Sequence, residues 1–279
     1  MKQLSSAKIT KTVKEMCIFA AHNLPADILA AIKTASKKET GLPAKILNLC
    51  VKNAEIAKKE LIPLCQDTGT AIIFAEVGEK IFIDGNLEEA LQLGVKQGYE
   101  EGYLRKSIVA DPLFTRANTK DNTPAIVHIS FCKGDKLKLT LLLKGAGAEN
   151  MSALKMFAPC SDIADIKKFI LHTVKSAGAK ACPPLVIGVG IGGNFEQCPL
   201  LAKKALTRTA GKNNKDKRYA ALELELLAAI NALNIGPQGL GGKTTALAVN
   251  IEFAPCHMAS LPVAVNIGCH SNRHITKIL

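Results

Sequence analysis

Three cysteines lie far apart in this chain, and each is surrounded by residues that favour a bend. Cys65, Cys182 and Cys269 are flanked by glycine, proline or small polar residues. Cys182 follows Cys65 by 117 residues and Cys269 follows Cys182 by 87, so only the tertiary fold can bring the three thiols together. Zinc ligands usually occur as close pairs. The pattern therefore suggests a four-iron cluster held by three thiolates, whose fourth iron has no protein ligand and acts as a Lewis acid.

The size and cysteine count of the chain limit its class. Its 279 residues, 48% of them hydrophobic, can bury the core of one large domain or two modest ones. We expect a single domain over residues 1–279. Nine cysteines, an odd number, without a recognisable secretory leader or long apolar run, predict a cytoplasmic protein with no disulfide framework and no membrane contact. Basic residues at positions 2, 8, 11 and 14 leave an organellar address open.

The net charge of +12 could indicate nucleic-acid binding, because lysine and arginine neutralise phosphates. Only 4% of the residues are aromatic and none is tryptophan, so few side chains can stack on bases. We therefore expect no nucleic-acid partner. A basic surface also attracts dianionic substrates or an acidic protein partner, and many of the lysines simply solvate the surface.

The hydrophobic pattern predicts a mixed α/β fold in which a helical segment over residues 1–60 precedes a mixed sheet flanked by helices. The site is expected on loops. Later helices are predicted over 87–106, 163–177, 200–206 and 219–233. Strands are predicted over 71–77, 125–132, 136–143, 185–189, 245–253 and 261–267, with a hairpin joining the second and third. The basic segment 208–218 is expected to be a solvated loop or a connection between two helices.

Six short motifs follow one another along the chain in a recognisable order. They are Cys65-Gln66-Asp67-Thr68-Gly69-Thr70, Lys144-Gly145-Ala146-Gly147-Ala148-Glu149-Asn150, Cys182-Pro183-Pro184, Ile235-Gly236-Pro237-Gln238-Gly239-Leu240-Gly241-Gly242-Lys243-Thr244-Thr245, His257-Met258-Ala259-Ser260 and Gly268-Cys269. In these motifs the chain resembles the alpha subunit of two-subunit class I iron-sulfur fumarate hydratases and L-tartrate dehydratases. The resemblance extends from the first helix to the last residues.

The resemblance implies a role for each residue of the site. Cys65, Cys182 and Cys269 would be the protein ligands of a [4Fe-4S] cluster with one iron not ligated by protein, and Cys256 is their closest rival. Cys17 and Cys50 fall on apolar helical positions and are expected to be inert. The implied catalytic residues are Asp67 and His257, and the implied substrate-binding residues are Gln66, Arg105, Gly145, Gly147 and His257. Ala146 stands where the family more often has a glycine.

The residue types alone leave simpler interpretations open. Asp67 before Thr-Gly often only closes a turn. Arg105 could be a solvated cation at a helix end, although a guanidinium also binds a carboxylate with two hydrogen bonds. His257 could be a core or capping residue. Any one cysteine is more often a structural core residue than a ligand.

The resemblance implies reversible hydration and dehydration of a small dicarboxylate, first fumarate to L-malate as in the tricarboxylic acid cycle, and second L-tartrate to oxaloacetate. The base and further anion-binding groups would belong to a separate beta subunit, since the chain stops shortly after Cys269. A hetero-oligomer is therefore expected. The alternative from another class is a non-catalytic protein in which an iron-sulfur cluster or zinc only stabilises an interaction module.

Two glycine-rich segments resemble nucleotide-binding motifs. Gly242-Lys243-Thr244 matches the end of a phosphate-binding loop, but the first glycine of that pattern would fall at Pro237. The segment 188–193 satisfies G-x-G-x-x-G, yet the region about twenty residues later is basic and lacks the acid that binds a ribose. A nicotinamide enzyme is therefore a weak alternative.

Overall fold

The structure is a computed structural model that describes residues 2–279. The chain forms two compact units, and each is discontinuous in sequence. Unit 1 contains the residues up to Pro25, Ala54–Ala146 and Arg273–Leu279, and unit 2 contains Ala26–Asn53 and Gly147–Asn272. The single hydro-lyase domain predicted for residues 1–279 stays a prediction.

Residues 2–279 form ten strands and eight α-helices. The strands are β1 (Lys2–Ser5), β2 (Thr70–Gly78), β3 (Ile81–Asp84), β4 (Ile126–Cys132), β5 (Leu137–Lys144), β6 (Ala153–Phe157), β7 (Leu185–Gly192), β8 (Ala246–Ala254), β9 (Leu261–Gly268) and β10 (Arg273–Ile278). The helices are α1 (Ser6–His22), α2 (Ala26–Ser36), α3 (Gly41–Glu60), α4 (Leu87–Glu101), α5 (Ala146–Glu149), α6 (Ile163–Ala177), α7 (Gln197–Ala205) and α8 (Lys217–Asn231). The mixed α/β class and a helical opening segment are confirmed, but strand β1 precedes the helices, so residues 2–5 of the predicted segment 1–60 are not helical.

The stretch Ser6–Ser36 has the length and hydropathy of a candidate membrane-spanning segment. The chain interrupts it at residues 23–25, however, where α1 ends and α2 begins. Ile9, Val13 and Cys17 of helix α1 are buried in the hydrophobic core of unit 1. Apolar helices that pack in the core of a protein can have the same length and hydropathy as membrane-spanning helices. The burial of α1 favours the interpretation that it is a core helix.

The sheet of unit 1 has the order β10-β5-β2-β4. Strand β2 pairs antiparallel with β5 and parallel with β4, so the predicted hairpin between 125–132 and 136–143 is wrong. Both predicted strands exist, but β2 lies between them. The residues from Ala71 to Ala75 are all buried. A buried strand needs hydrogen-bonding partners along both edges, and a hairpin between its two neighbours would leave it unpaired.

Helices α1 and α4 pack closely in unit 1 through two glycines. A Cβ added at Gly94 would lie 2.6 Å from Val13 Cβ, and one added at Gly98 would lie 2.7 Å from Cys17 Cβ. Helix α4 ends at Glu101, five residues earlier than predicted, and Tyr103 takes a left-handed φ of 51°. Arg105 therefore lies in a loop after the helix.

The sheet of unit 2 has the order β6-β9-β7-β8, and every residue of β7 is buried. Helix α7 lies against β7 because glycines remove the side chains between them. A Cβ at Gly188 would be 2.1 Å from the Ala202 carbonyl oxygen, and one at Gly190 would be 2.1 Å from the Cys198 carbonyl oxygen. The glycines of the segment that resembled a dinucleotide motif thus permit helix-on-sheet packing.

Candidate functional site

The loop that carries Cys65 in unit 1 is organised around the carboxylate of Asp67. Oδ1 of Asp67 accepts a hydrogen bond from Gly69 N at 3.0 Å, and Oδ2 accepts one from Ala146 N at 2.8 Å. Gly69 has a φ of +84°, and a Cβ there would lie 2.8 Å from the Lys144 carbonyl carbon. Only glycine fits this position. Asp67 therefore ties its own turn to the loop at residue 146.

A buried arginine supports the same loop. Arg273 is 1% exposed, and its Nη2 donates to the Asp67 carbonyl oxygen at 2.7 Å. Within residues 2–279, Nε and Nη1 of Arg273 have no hydrogen-bond partner. Burial of a cationic group whose donors lack partners costs free energy, so the fold holds this guanidinium in place at an energetic cost.

Tyr99 on α4 supplies a further buried contact to the Asp67 loop. Its hydroxyl lies 3.1 Å from the Thr68 carbonyl oxygen and 2.8 Å from that of Gly69. Asn122 Nδ2 also donates to the Gly69 oxygen, at 3.2 Å. Burial raises the pKa of the Tyr99 phenol, so the hydroxyl keeps its proton and remains a donor.

The substrate-binding residues predicted in unit 1 lie beside the Asp67 turn. Thr68 Oγ1 donates to the Arg105 carbonyl oxygen at 2.7 Å, which attaches the Arg105 segment to the turn. Gln66 and Arg105 are exposed. A Cβ added at Gly145 would lie 3.1 Å from Asp67 Oδ2, so this glycine lets its loop approach the carboxylate. Unit 1 thus brings together the turn that contains Cys65, Gln66 and Asp67, the loop at Gly145 and the backbone at Arg105.

In unit 2, the loops of Cys182 and Cys269 are hydrogen-bonded to each other. Cys182 has a left-handed φ of 53° after a 3-10 turn, and Cys269 follows the end of β9. His270 N donates to the Cys182 carbonyl oxygen at 3.2 Å, and His270 Nδ1 lies 3.1 Å from the same oxygen. The structure therefore brings these two predicted ligand loops together.

Gln238 joins both of these loops, and the prediction of site residues missed it. Its backbone N and its side-chain Nε2 donate to the Pro183 carbonyl oxygen at 2.8 Å and 2.9 Å. Nε2 also lies 3.2 Å from His270 Nδ1. The only sequence signal was a single glutamine inside the glycine-rich motif of residues 235–245.

Cys50 is a third thiol in this part of unit 2. Its pKa is raised to about 11, first by burial and then by electrostatic interaction with Cys182 and Cys269. Cys50 therefore lies within electrostatic reach of the two predicted ligands. Cys17 in unit 1 is fully buried in the core, where burial raises its pKa to about 12.

The chemistry of the donors in unit 2 fits part of a cluster site. Cys182 and Cys269 are reduced thiols on adjoining loops, and Cys182 is exposed. Thiolates are the usual protein ligands of iron-sulfur clusters. In the described residues 2–279, no group of three His, Cys, Asp or Glu side chains stands at the spacing of a metal-ion site.

Gly147 and His257 are the remaining predicted residues, and both are exposed. A Cβ added at Gly147 would meet only the Lys180 carbonyl oxygen, at 3.7 Å. His257 lies in the turn before β9, where Ala259 N donates to its Nδ1 at 3.1 Å. The neutral imidazole therefore carries its proton on Nε2. Cys256, the rival ligand, donates to the Ser260 carbonyl oxygen at 3.3 Å within the same turn.

Glu149 of the glycine-loop motif has a structural role that the sequence did not indicate. It forms an ion pair with Lys203 on α7, and Asn266 Nδ2 donates to its Oε2 at 3.3 Å. Burial lowers the pKa of Lys203, and the Glu149 carboxylate opposes that shift. The pair anchors the segment after Gly147 to the sheet of unit 2.

Comparison with known proteins identifies the family. The model for fumarate hydratase (fumerase) matches residues 10–277. The chain is 44% identical over 278 residues to a protein of Methanocaldococcus jannaschii described as putative L(+)-tartrate dehydratase subunit alpha, and the match covers 97% of each chain. It is 30% identical to the L(+)-tartrate dehydratase subunit alpha of Escherichia coli strain UTI89, over 99% of this chain and 92% of that one. The chain therefore belongs to the fumarate hydratase family.

Proposed function

We propose that this chain is the alpha subunit of an iron-sulfur hydro-lyase that adds water to, or removes it from, a small dicarboxylate. The observation that carries the proposal is the loop cluster of unit 1, where the turn that contains Cys65, Gln66 and Asp67 is hydrogen-bonded through Thr68 to the Arg105 backbone. A thiolate ligand, a carboxylate and an exposed guanidinium on adjoining loops are the groups that a metal-assisted dehydration of a dicarboxylate requires.

Cys65, Cys182 and Cys269 would hold the cluster. When bound, a [4Fe-4S] cluster with one iron free of protein ligands would supply a Lewis acid for the substrate hydroxyl. Arg105 would bind a substrate carboxylate through two parallel hydrogen bonds. Gln66 and the backbone at Gly145 and Gly147 would orient the substrate, because amide donors and open glycine backbone permit close approach.

Asp67 and His257 are the proposed proton-transfer groups. Each Asp67 oxygen accepts one backbone hydrogen bond, and a carboxylate has capacity for about four acceptor contacts. The turn that Asp67 closes therefore leaves room for a proton at the same carboxylate. His257 presents an exposed imidazole whose Nε2 bears the proton in the neutral ring.

The substrate is proposed at two levels. The class is a four-carbon dicarboxylate with a hydroxyl group to lose, and fumarate with L-malate is the first choice because the family model is that of fumarate hydratase. L-tartrate is the second choice, because the relatives named above are described as tartrate dehydratase subunits. Their description as alpha subunits supports a partner subunit, which would supply the base for the carbon-bound proton.

The test is anaerobic co-expression of this chain with a beta subunit of its own organism. Iron, acid-labile sulfide and turnover of L-malate, fumarate and L-tartrate are then measured for the complex and for this chain alone. The proposal expects a brown complex that turns over one of these acids, and an isolated chain that is nearly inactive. Full activity of the isolated chain would contradict a divided active site.

A colourless protein with zinc and no turnover would instead support the non-catalytic interaction module. A brown complex without turnover of any dicarboxylate would support an iron-sulfur interaction protein. Both outcomes reject the hydro-lyase.

A further inference from the structure

We infer that Gln238 is a positioning residue that sets the separation of the Cys182 and Cys269 loops before any cluster binds. Its importance for catalysis rests on the proposed function, but its effect on the two loops does not. Gln238 is not itself a ligand or a substrate-binding group in this inference. It acts through Pro183 and His270, the residues that directly follow the two cysteines.

The backbone of Gln238 is the first observation. Its φ of 54° and ψ of 17° are left-handed, a conformation that is uncommon for residues other than glycine. Around Gln238, between residues 236 and 242, the other positions with a positive φ are all glycine, namely Gly236, Gly239, Gly241 and Gly242. Residues in sparsely populated conformations persist where the surrounding structure holds them, and they cluster at functional sites. Position 238 would accept glycine more easily, so the side chain needs an explanation.

The side chain supplies that explanation. Its amide Nε2 reaches the Pro183 carbonyl oxygen at 2.9 Å and lies 3.2 Å from His270 Nδ1. The backbone N of Gln238 donates to the same Pro183 oxygen at 2.8 Å. One residue thus contacts both ligand loops, and His270 N completes the link by donating to the Cys182 oxygen.

The loop that presents Gln238 is held by close backbone packing. A Cβ at Gly236 would lie 1.7 Å from the Gly241 carbonyl oxygen, and one at Gly239 would lie 2.3 Å from Ala179 Cβ. Ala179 belongs to the 3-10 turn that leads into Cys182. The backbone on either side of Gln238 is therefore held in place by close packing, and it contacts the 3-10 turn that precedes Cys182.

Metal sites depend on residues that orient the ligands as well as on the ligands. Loss of such a residue typically weakens metal retention roughly 10-fold to 100-fold. Without the Gln238 amide, the loops of Cys182 and Cys269 keep the contacts of His270 with the Cys182 oxygen and the pairing of β7 with β9, but lose the side-chain link between Pro183 and His270. We expect the two thiols to be held less firmly and the cluster to be lost faster.

The experiment compares Gln238→Ala, Gln238→Gly and Gln238→Glu with wild type in the complex with the beta subunit. Glycine relaxes the left-handed backbone but removes the amide, and glutamate keeps the side-chain length but removes the Nε2 donor. Asn234→Ala is the matched control, because Asn234 also has a left-handed φ, of 53°, and is exposed with only a local bond to the Ala232 oxygen. Circular dichroism confirms that each variant is folded.

Two readouts are measured. The first is the rate of iron loss in air, together with the electron paramagnetic resonance spectrum of the oxidised cluster. The second, which needs no cluster, is deuterium exchange at the His270 amide in the apoprotein. All three Gln238 variants should lose iron roughly 10-fold to 100-fold faster, with altered resonance spectra and faster exchange, while Asn234→Ala behaves as wild type.

Wild-type iron retention and exchange in Gln238→Gly would overturn the inference, since the amide would then be dispensable. Equal defects in Asn234→Ala would also overturn it, because strain alone would explain the loss. If the wild-type complex holds iron but hydrates no dicarboxylate, the proposed function fails while both readouts still test Gln238. If the wild type holds no iron, the exchange measurement alone decides.

Discussion

The two units hold their predicted site loops by different physical means. In unit 1, charged groups organise the loop: the Asp67 carboxylate accepts two backbone hydrogen bonds, and the buried Arg273 donates to the Asp67 carbonyl. In unit 2, the neutral Gln238 amide and the ring of His270 join the loops of Cys182 and Cys269. Hydrogen bonds that involve a charged group contribute more to stability than those between neutral groups. Apart from the cysteines, substitutions of these supporting residues should therefore mainly affect stability in unit 1 and cluster retention in unit 2.

The largest expected effect is loss of the cluster when a cysteine ligand is replaced in either unit. Cys65→Ser, Cys182→Ser and Cys269→Ser should each abolish cluster retention, because each removes one of only three proposed thiolate ligands. Iron and sulfide analysis after anaerobic purification measures this. Cys160→Ser is the control, since Cys160 is an exposed cysteine that is not a proposed ligand. Full iron content in all three ligand variants would refute the assignment.

Asp67→Asn should give the next largest effect, on turnover. If Asp67 transfers a proton, turnover should fall roughly 100-fold to 10,000-fold while iron is retained. Because both carboxylate oxygens accept backbone hydrogen bonds, the asparagine also places an NH2 group against a backbone N–H. A parallel stability loss of about 1–3 kcal/mol is therefore expected in urea unfolding.

The outcomes for Asp67 separate its two roles. Normal turnover would make Asp67 a turn former only. Loss of both iron and turnover would indicate that the Cys65 loop has lost its conformation. The Asp67 carboxylate would then hold the cluster ligand Cys65 in place, and a role in proton transfer would have no support.

Arg273→Met tests the charged support of unit 1. The change removes the donor to the Asp67 carbonyl and should destabilise the chain by about 2–4 kcal/mol in urea unfolding. Arg218→Met is the control, because Arg218 is exposed and pairs only with Asp216. We expect no measurable change there. An unchanged unfolding midpoint for Arg273→Met would show that the charged support is not needed.

Tyr99→Phe should have the smallest effect. It removes one buried hydroxyl that lies near two carbonyl oxygens, and about 1–2 kcal/mol of stability should be lost. Tyr103→Phe, at a tyrosine that is 91% exposed, should leave the unfolding midpoint unchanged. Loss of iron from Tyr99→Phe protein that remains folded would show that a supporting residue of unit 1 also controls cluster retention, which would weaken the contrast between the two units.

Local sequence was sufficient for most of the secondary structure. The helix predicted over 163–177 coincides with α6, and the strands over 71–77 and 261–267 lie within β2 and β9. Periodicity and glycine or proline breaks are local properties, so they can be read without the fold. The ends of elements were less secure, as the early end of α4 before Arg105 shows.

Partners distant in the sequence required the tertiary structure. The order of strands in unit 1 places β2 between β4 and β5, because pairing reflects which buried edge must be covered and not which strands are neighbours in sequence. Cys50 was interpreted as an inert helical cysteine, yet the fold brings it within electrostatic reach of Cys182 and Cys269.

The family and the candidate chemical groups follow from the amino-acid sequence, since six ordered motifs carry them. The way in which those groups are held depends on the tertiary fold. Arg273 contacts Asp67, 206 positions away in the sequence. Gln238 contacts Pro183 and His270, which are 55 and 32 positions away. Such contacts depend on burial and backbone geometry of the whole fold, which no local pattern of residues encodes.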